Sequence, residues 1–381
     1  MVSLFDKLDK KILIIFLVCL GNVVISFNVG AVAAAIPLIS QDLQLPDVSV
    51  ARMIAFYMIP YGFGALLYAP LTRFVSYRLV LIGALAVYAF FNFMTATSIS
   101  LENMLLAQVG AGIAAAASTP LGLIIIGDLF ERDVRGRLIG VFFGSSFAAS
   151  MIGMIFMAIV PWRWLFIIPG ILAAITAILF SVMPIVDLDR RHLAHINYLR
   201  IFSHKNILKV FVFIFLMSFL YHGLHKWYGV YLARDYGLGK HTVSAFLIIA
   251  ACCGLAGQNI GGYLTDKKGR MFSCFAGGMI LALGAMALFF HYPVSVVPII
   301  LGAIALGWTV NHNSVSTVLT DMEDRHRPII ASLNSSIRFV SGGLGFSLTT
   351  FFVEKSFSET FLVIGVLFLI LVLNQRVFFE N

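Results

Sequence analysis

Twelve long apolar runs fill nearly all of this chain, and no other feature constrains its fold so tightly. They lie near 12–37, 50–71, 79–98, 103–127, 137–160 and 163–184, then near 207–232, 242–265, 271–291, 294–320, 329–352 and 357–378. A helix crosses a bilayer with about 20 mainly apolar residues. Only 12% of the 381 residues are charged and 60% are hydrophobic, against about a quarter charged in soluble domains. Lipid is therefore the solvent, and the fold class is an all-α membrane protein of twelve transmembrane helices. The short connections leave no room for a separate soluble enzyme domain.

Charge placement sets the topology. Of the 26 Lys and Arg residues, 19 fall in loops on one side, while Arg52, Arg163, Arg234, Lys240 and Lys355 fall on the other. Basic loops stay cytoplasmic, so both termini and the central loop are expected there, in a bacterial inner membrane. The same distribution accounts for the net charge of +8 without invoking nucleic acid. Met1 to Lys11 is short and charged, with no small-residue cleavage site before the first run, which reads as a retained signal anchor. Cys19, Cys252, Cys253 and Cys274 all sit in apolar runs without metal-ligand spacing. No cofactor is expected.

The two halves of the chain repeat. Leu71-Thr72-Arg73 corresponds to Leu264-Thr265-Asp266, and Asp128 and Arg132 correspond to Asp321 and Arg325, all at an offset of 193 residues. The expected organisation is a six-helix bundle over 1–186, a linker at 187–206 and a second bundle over 207–381. Parallel repeats with a binding site at their interface are a transporter architecture.

Several motifs resemble those of the major facilitator superfamily. Gly262-Tyr263-Leu264-Thr265-Asp266-Lys267-Lys268-Gly269-Arg270 fits the family's G-x-L-x-D-[RK]-x-G-[RK] loop at every fixed position. Gly127-Asp128-Leu129-Phe130 followed by Arg135-Gly136-Arg137 is similar to its D-L-F…R-G-R loop, and Trp162-Arg163-Trp164-Leu165-Phe166 to its entry into helix 6. The resemblance implies alternating access between two pseudo-symmetric bundles, with helices 1, 4, 7 and 10 lining a central cavity. It also implies that Asp266, beside the turn at Gly269-Arg270, docks on the positive start of helix 5 near Arg137 and latches the cytoplasmic gate. The sister loop carries Arg73 at the aspartate position and Ser76 at the glycine, so the latch is expected in the second half only. A fixed topological anchor is the competing reading of Asp266.

No acidic residue sits at mid-membrane depth. Asn28 stands nine residues before Pro37, where proton-driven drug exporters of this superfamily tend to carry an acid. Gln108 stands twelve before Pro120, where they tend to carry arginine, and the antiporter G-P motif is missing from Gly144 to Gly153. Cations are present instead. Arg338 lies near mid-depth of helix 11, and Ser218, His222, Lys226 and Gly229 form a polar stripe on helix 7, with His225 beside it. Helix 10 carries Trp308 and His312. Intramembrane ionisable residues usually face a cavity. Asn28, Tyr57, Tyr61, Gln108, His222, Lys226, Trp308, His312 and Arg338 are therefore the candidate cavity residues. Asp128, Arg73, Arg137, Asp266, Gly269 and Arg270 are the candidate gate.

Each has a plainer alternative. Lys226 could snorkel to the interface, Arg338 could bond Asn334, and His225 and Tyr228 could belong to an aromatic belt. His312 could be a neutral helix–helix hydrogen bonder. The Tyr57, Tyr61, Gly64, Tyr68 stripe could be packing.

A cation-lined path favours a monomeric secondary transporter of a small organic or inorganic anion, by proton symport or exchange. His222 and His312 would be the proton carriers, since histidine titrates near neutrality. The alternatives are an exporter of drugs, sugars or metabolites, and a sensor or assembly factor on the same scaffold. Inside the runs there is no nucleophile–base pair, carboxylate pair or metal-ligand spacing, which argues against an enzyme.

Overall fold

The computed structural model describes residues 2–72, 74–182, 198, 204–322 and 327–379. The first six crossings are α1 (Val2–Leu43), α2 (Asp47–Leu71), α3 (Tyr77–Thr97), α4 (Leu101–Ala115) continued by α5 (Ser118–Leu129), α6 (Arg132–Ile159) and α7 (Trp164–Val182). The next three are α8 (Lys205–His225) continued by α9 (Tyr228–Arg234), α10 (Lys240–Lys268) and α11 (Arg270–Ala287). The last three are α12 (Val297–Met322), α13 (Arg327–Val353) and α14 (Phe357–Leu373), with α15 (Arg376–Phe379) as a tail. Among the described residues, ten crossings have the length and composition to span a membrane, and α12 and the shorter α14 complete the twelve. Most of the expected linker at 187–206 lies outside the described residues, as does Arg73.

Helix pairing repeats between the two sixes. The first crossing packs on the fifth as the seventh packs on the eleventh, the second on the fourth as the eighth on the tenth, and the third on the sixth as the ninth on the twelfth. The closest crossings repeat residue for residue. A Cβ on Gly153 would strike the Phe27 carbonyl oxygen, and a Cβ on Gly345 would strike the Phe219 carbonyl oxygen. Both members are displaced by 192 residues, one less than the offset between the loops. Without a hydrophobic drive between helices in lipid, small residues that let backbones touch supply the packing.

These two glycines give a paired prediction. Gly153→Ala and Gly345→Ala should each lower the melting temperature of the purified protein, because overpacking against a carbonyl costs about 1–3 kcal/mol. Gly83→Ala, where a Cβ would meet nothing within 4 Å, should leave it unchanged or raise it, since alanine is the better helix former. Scanning calorimetry that finds all three equal would refute this account of the crossings.

Two of the crossings are broken. Pro120 lacks the N–H that would reach the Ala116 carbonyl, and the helix steps at Ala116 and Ala117 between α4 and α5. The seventh crossing breaks at Lys226 and Trp227. Trp227 is fully buried there, donating from Nε1 to Thr349 Oγ1 at 3.1 Å and stacking on Phe346. This anchor fixes the step, so Lys226 sits at a corner and not on a continuous helical stripe.

The two sixes meet along α2 and α13 and on the face remote from the termini. There Ser244 donates to the Met154 carbonyl, Gly229 of α9 lies against Ala33 and Ala34, and Arg234 Nε stands 3.9 Å from Asp47 Oδ2. The Trp162-Arg163 motif also works on this face. Trp162 Nε1 and Arg163 Nη2 both reach Asp42 Oδ2 at 3.1 Å, and Arg163 Nη1 reaches the carbonyls of Ala96 and Ser98, tying the ends of the first, third and fifth crossings together.

Candidate substrate cavity

Between the two sixes lies a cavity of about 80 Å3. Its polar lining is Asn28 from α1, Tyr57 from α2, Tyr88 and Asn92 from α3, Gln108 from α4, and His222 and Lys226 from the seventh crossing. Val29, Val32, Ala33, Met53, Ile54, Met58, Ala111 and Phe339 supply apolar walls. Asn28 Nδ2 donates to Asn92 Oδ1 at 2.9 Å, and Asn92 Nδ2 donates to the Tyr88 carbonyl at 2.8 Å. Gln108 Nε2 donates to Thr95 Oγ1 at 3.1 Å. The third crossing is thus part of the site, which the residues of helices 1, 4, 7 and 10 alone did not foretell.

Lys226 is buried, and its Nζ donates to the Val29 carbonyl at 2.8 Å. It does not reach the membrane surface. The ammonium crosses from one six to the other, and the broken seventh crossing aims it there. His222 reaches the cavity wall because Gly342 is bare: a Cβ there would strike the imidazole and the Met58 methyl. His225 and Tyr228 are not a lipid-facing belt either, for Tyr228 is fully buried and His225 stacks on Tyr221 at 5.1 Å between ring centres.

Arg338, Trp308 and His312 form a neighbouring cluster and do not line the cavity. Trp308 stacks on Tyr221 at 3.9 Å, the Arg338 guanidinium lies 5.7 Å from the Trp308 ring centre, and the His312 ring is 5.7 Å from the same indole. Arg338 Nε donates to Asn334 Oδ1 at 2.9 Å, while Nη2 is buried without a partner. His222 connects cavity and cluster, with its ring 6.0 Å from Trp308. Tyr61 lies apart from the lining, stacked on Phe339 at 3.8 Å, so its half of the tyrosine stripe is packing. Lys226 and Arg338 are the charged members of the buried polar set, and no Asp or Glu is buried among the described residues.

A second, open basin of about 880 Å3 lies on the far side of α9, lined by Pro37, Ser40, Asp47, Ala233, Arg234 and Glu354 among others. α9 runs from one to the other: Lys226, just before the helix, lines the cavity, and Arg234, at its end, lines the basin.

At the face carrying the termini, Gly269 has φ +87°, the left-handed turn that joins α10 to α11. Asp266 and Arg137 are both exposed, and no ion pair joins them among the described residues. Arg270 is exposed and Asp128 is half-buried. The local tie at the end of the fourth crossing comes from Arg135, which donates to the carbonyls of Gly127 and Phe130. Arg135 was legible as part of the R-G-R loop, but spacing alone does not say which arginine turns inward.

Comparison with known proteins supports the same architecture. A Multidrug transporter of Candida glabrata, TPO1_2, is 29% identical over 180 residues, 45% of this chain and 31% of that protein. The chain thus spans under a third of that relative's length. The "Probable L-galactonate transporter" of Escherichia coli K12 is 23% identical over 364 residues, covering 84% of this chain and 78% of that one. Among solved structures, a bacterial homologue of the human lysosomal transporter Spinster, in an inward-facing and unoccupied conformation, superposes with a TM-score of 0.82 at 14% identity. That match covers 97% of this chain and 98% of the other. The nucleoside transporter NupG superposes with a TM-score of 0.76 over 97% of this chain and all of its own, also at 14% identity. The Major Facilitator Superfamily sequence profile matches residues 18–346, and with twelve crossings in a repeated arrangement around a central cavity the chain belongs to that superfamily of membrane transporters.

Proposed function

We propose that this protein is a secondary transporter of a small organic anion, working by alternating access of the bundles 1–186 and 207–381 and coupled to protons by symport or exchange. One observation carries the reading: the buried charges beside the path are Lys226 and Arg338, with no carboxylate among the residues that line the cavity to neutralise them. A buried cation without a counter-ion is expensive, and an anionic cargo supplies the missing charge. The relative named for L-galactonate, itself a carboxylate, is consistent with this. With the remote face packed shut and Asp266 exposed, the conformation corresponds to a cavity closed to the outside, if the basic loops are cytoplasmic in a bacterial inner membrane. His222 and His312 are the candidate proton carriers, since imidazole ordinarily titrates near neutrality.

Flux in proteoliposomes tests the proposal. Labelled carboxylates should move and inhibit one another, and an imposed pH gradient should accelerate them. The mostly apolar walls and the multidrug relative favour a second reading, export of drugs or metabolites. Flux of a lipophilic cation that no anion inhibits would select it. No flux, with residues reactive from one side only, would select a sensor.

A further inference from the structure

Four polar atoms on the side chains that line the cavity are buried without a hydrogen-bond partner: Asn28 Oδ1, Tyr57 OH, Tyr88 OH and His222 Nδ1. Folded proteins leave few such groups, and each calls for an explanation. Here all four belong to side chains that line one small space. Asn28 and Tyr88 are themselves more than nine-tenths buried, so neither can turn to bulk water. An amide oxygen only accepts, whereas a phenol both donates and accepts. A ligand that completes this set must carry O–H donors that also accept. A carboxylate alone cannot do so, and a hydroxyl can.

Opposite them, Lys226 has spent one N–H on the Val29 carbonyl. An ammonium carries three. The lining therefore holds a single fixed positive charge, suited to one negative charge on the ligand. Arg338, which could pair a dianion such as a phosphate ester, lies outside it. Apolar walls from Val32, Met53 and Ile54 cover the remaining surface, as a short carbon chain requires. The volume of about 80 Å3 is several times the roughly 10–15 Å3 that admits a single water.

We infer that the cavity reads a small hydroxylated carboxylate, its carboxylate on the Lys226 ammonium and its hydroxyls on Tyr57, Tyr88 and Asn28. This rests on the anion reading above and sharpens it. The bound carboxylate competes with the Val29 carbonyl for Lys226, so cargo binding loosens one contact between the two sixes next to α9.

Titration calorimetry on the purified full chain tests the inference with matched probes. These are glycerate and L-galactonate, their deoxy counterparts propionate and hexanoate, and the uncharged polyols glycerol and galactitol. At least one hydroxy acid should bind about tenfold or more tightly than both counterparts of its length, the effect of one or two hydrogen bonds. The Tyr57→Phe/Tyr88→Phe double variant should reduce that preference to about threefold or less while keeping the cavity's volume. A deoxy acid that binds as tightly as its hydroxy acid overturns the hydroxyl recognition and leaves the anion reading intact. A polyol that binds as tightly as the acid overturns both. If neither hydroxy acid binds, the inference fails and water alone serves the unpartnered groups.

Discussion

Replacing Arg338 with alanine should reduce anion flux about tenfold or more without unfolding the protein. Arg338 is 8% exposed, and its guanidinium is oriented by Asn334 Oδ1 and the Trp308 face and keeps Nη2 unpaired. Arg338 lies beyond the cavity wall at His222, so it acts on an anion that leaves the cavity toward this cluster, through one or two charge-assisted hydrogen bonds, each about 1.5–3 kcal/mol, and every 1.4 kcal/mol is tenfold. Arg338→Lys should not restore flux, because an ammonium cannot reproduce the planar fork or its stacking on the indole. Stability should move the other way. Exchanging an uncompensated buried charge for an apolar side chain is often neutral or stabilising, so Arg338→Met should melt no lower than the parent. Wild-type flux in Arg338→Ala would remove the main support for an anionic cargo. A sharp fall in melting temperature for Arg338→Met would instead make the arginine a structural element of the Trp308–Tyr221 stack.

The second large effect is expected at Gly229. A Cβ there would stand 2.6 Å from Ala34 Cα and 2.9 Å from the Ala33 carbonyl oxygen, both backbone atoms that cannot yield as a side chain would. Pro37, four residues beyond Ala33, has no N–H to give that carbonyl, so α1 is already locally open where α9 rests on it. Gly229→Val must therefore part α9 from α1. Overpacking of about 1–3 kcal/mol acts on this conformation alone and depletes it up to roughly a hundredfold relative to one with the remote face open. The readout is labelling of Val32→Cys, in the cavity behind α9, by a membrane-impermeant maleimide in a background lacking the four native cysteines. Labelling should accelerate strongly in Gly229→Val while flux falls, and Gly83→Val should change neither. Unchanged labelling would mean that α9 does not seal the cavity from that face.

Much of the site was legible because polarity is rare in this chain. Asn28, Gln108 and Lys226 each interrupt an apolar run, and all three reach the same cavity. His312 and Arg338 were marked by the same signal yet belong to a neighbouring cluster. Periodicity gives the face of a helix but not the neighbour it meets. Tyr88 and Asn92 escaped notice because a tyrosine and an asparagine on the third helix look like ordinary packing. Only the unpartnered Tyr88 hydroxyl and the Asn28–Asn92 hydrogen bond, both set in three dimensions, mark them out. The Asp266 latch shows the opposite limit: its motif is complete in sequence, yet in this conformation the carboxylate is exposed.

The sequence by itself determined what local physics controls. Apolar length fixed the twelve crossings, loop charge supplied the expected sidedness, and a constant offset exposed the duplication, since each depends only on spacing along the chain. Tertiary structure decided what depends on backbones meeting. It set the carbonyl–glycine crossings at Phe27 with Gly153 and Phe219 with Gly345, the break that turns Lys226 toward Val29, and the division of polar residues between cavity and aromatic cluster. Those contacts join residues between 87 and 197 positions apart, and a helix in lipid is oriented by its neighbours' shapes, which no single run of sequence encodes.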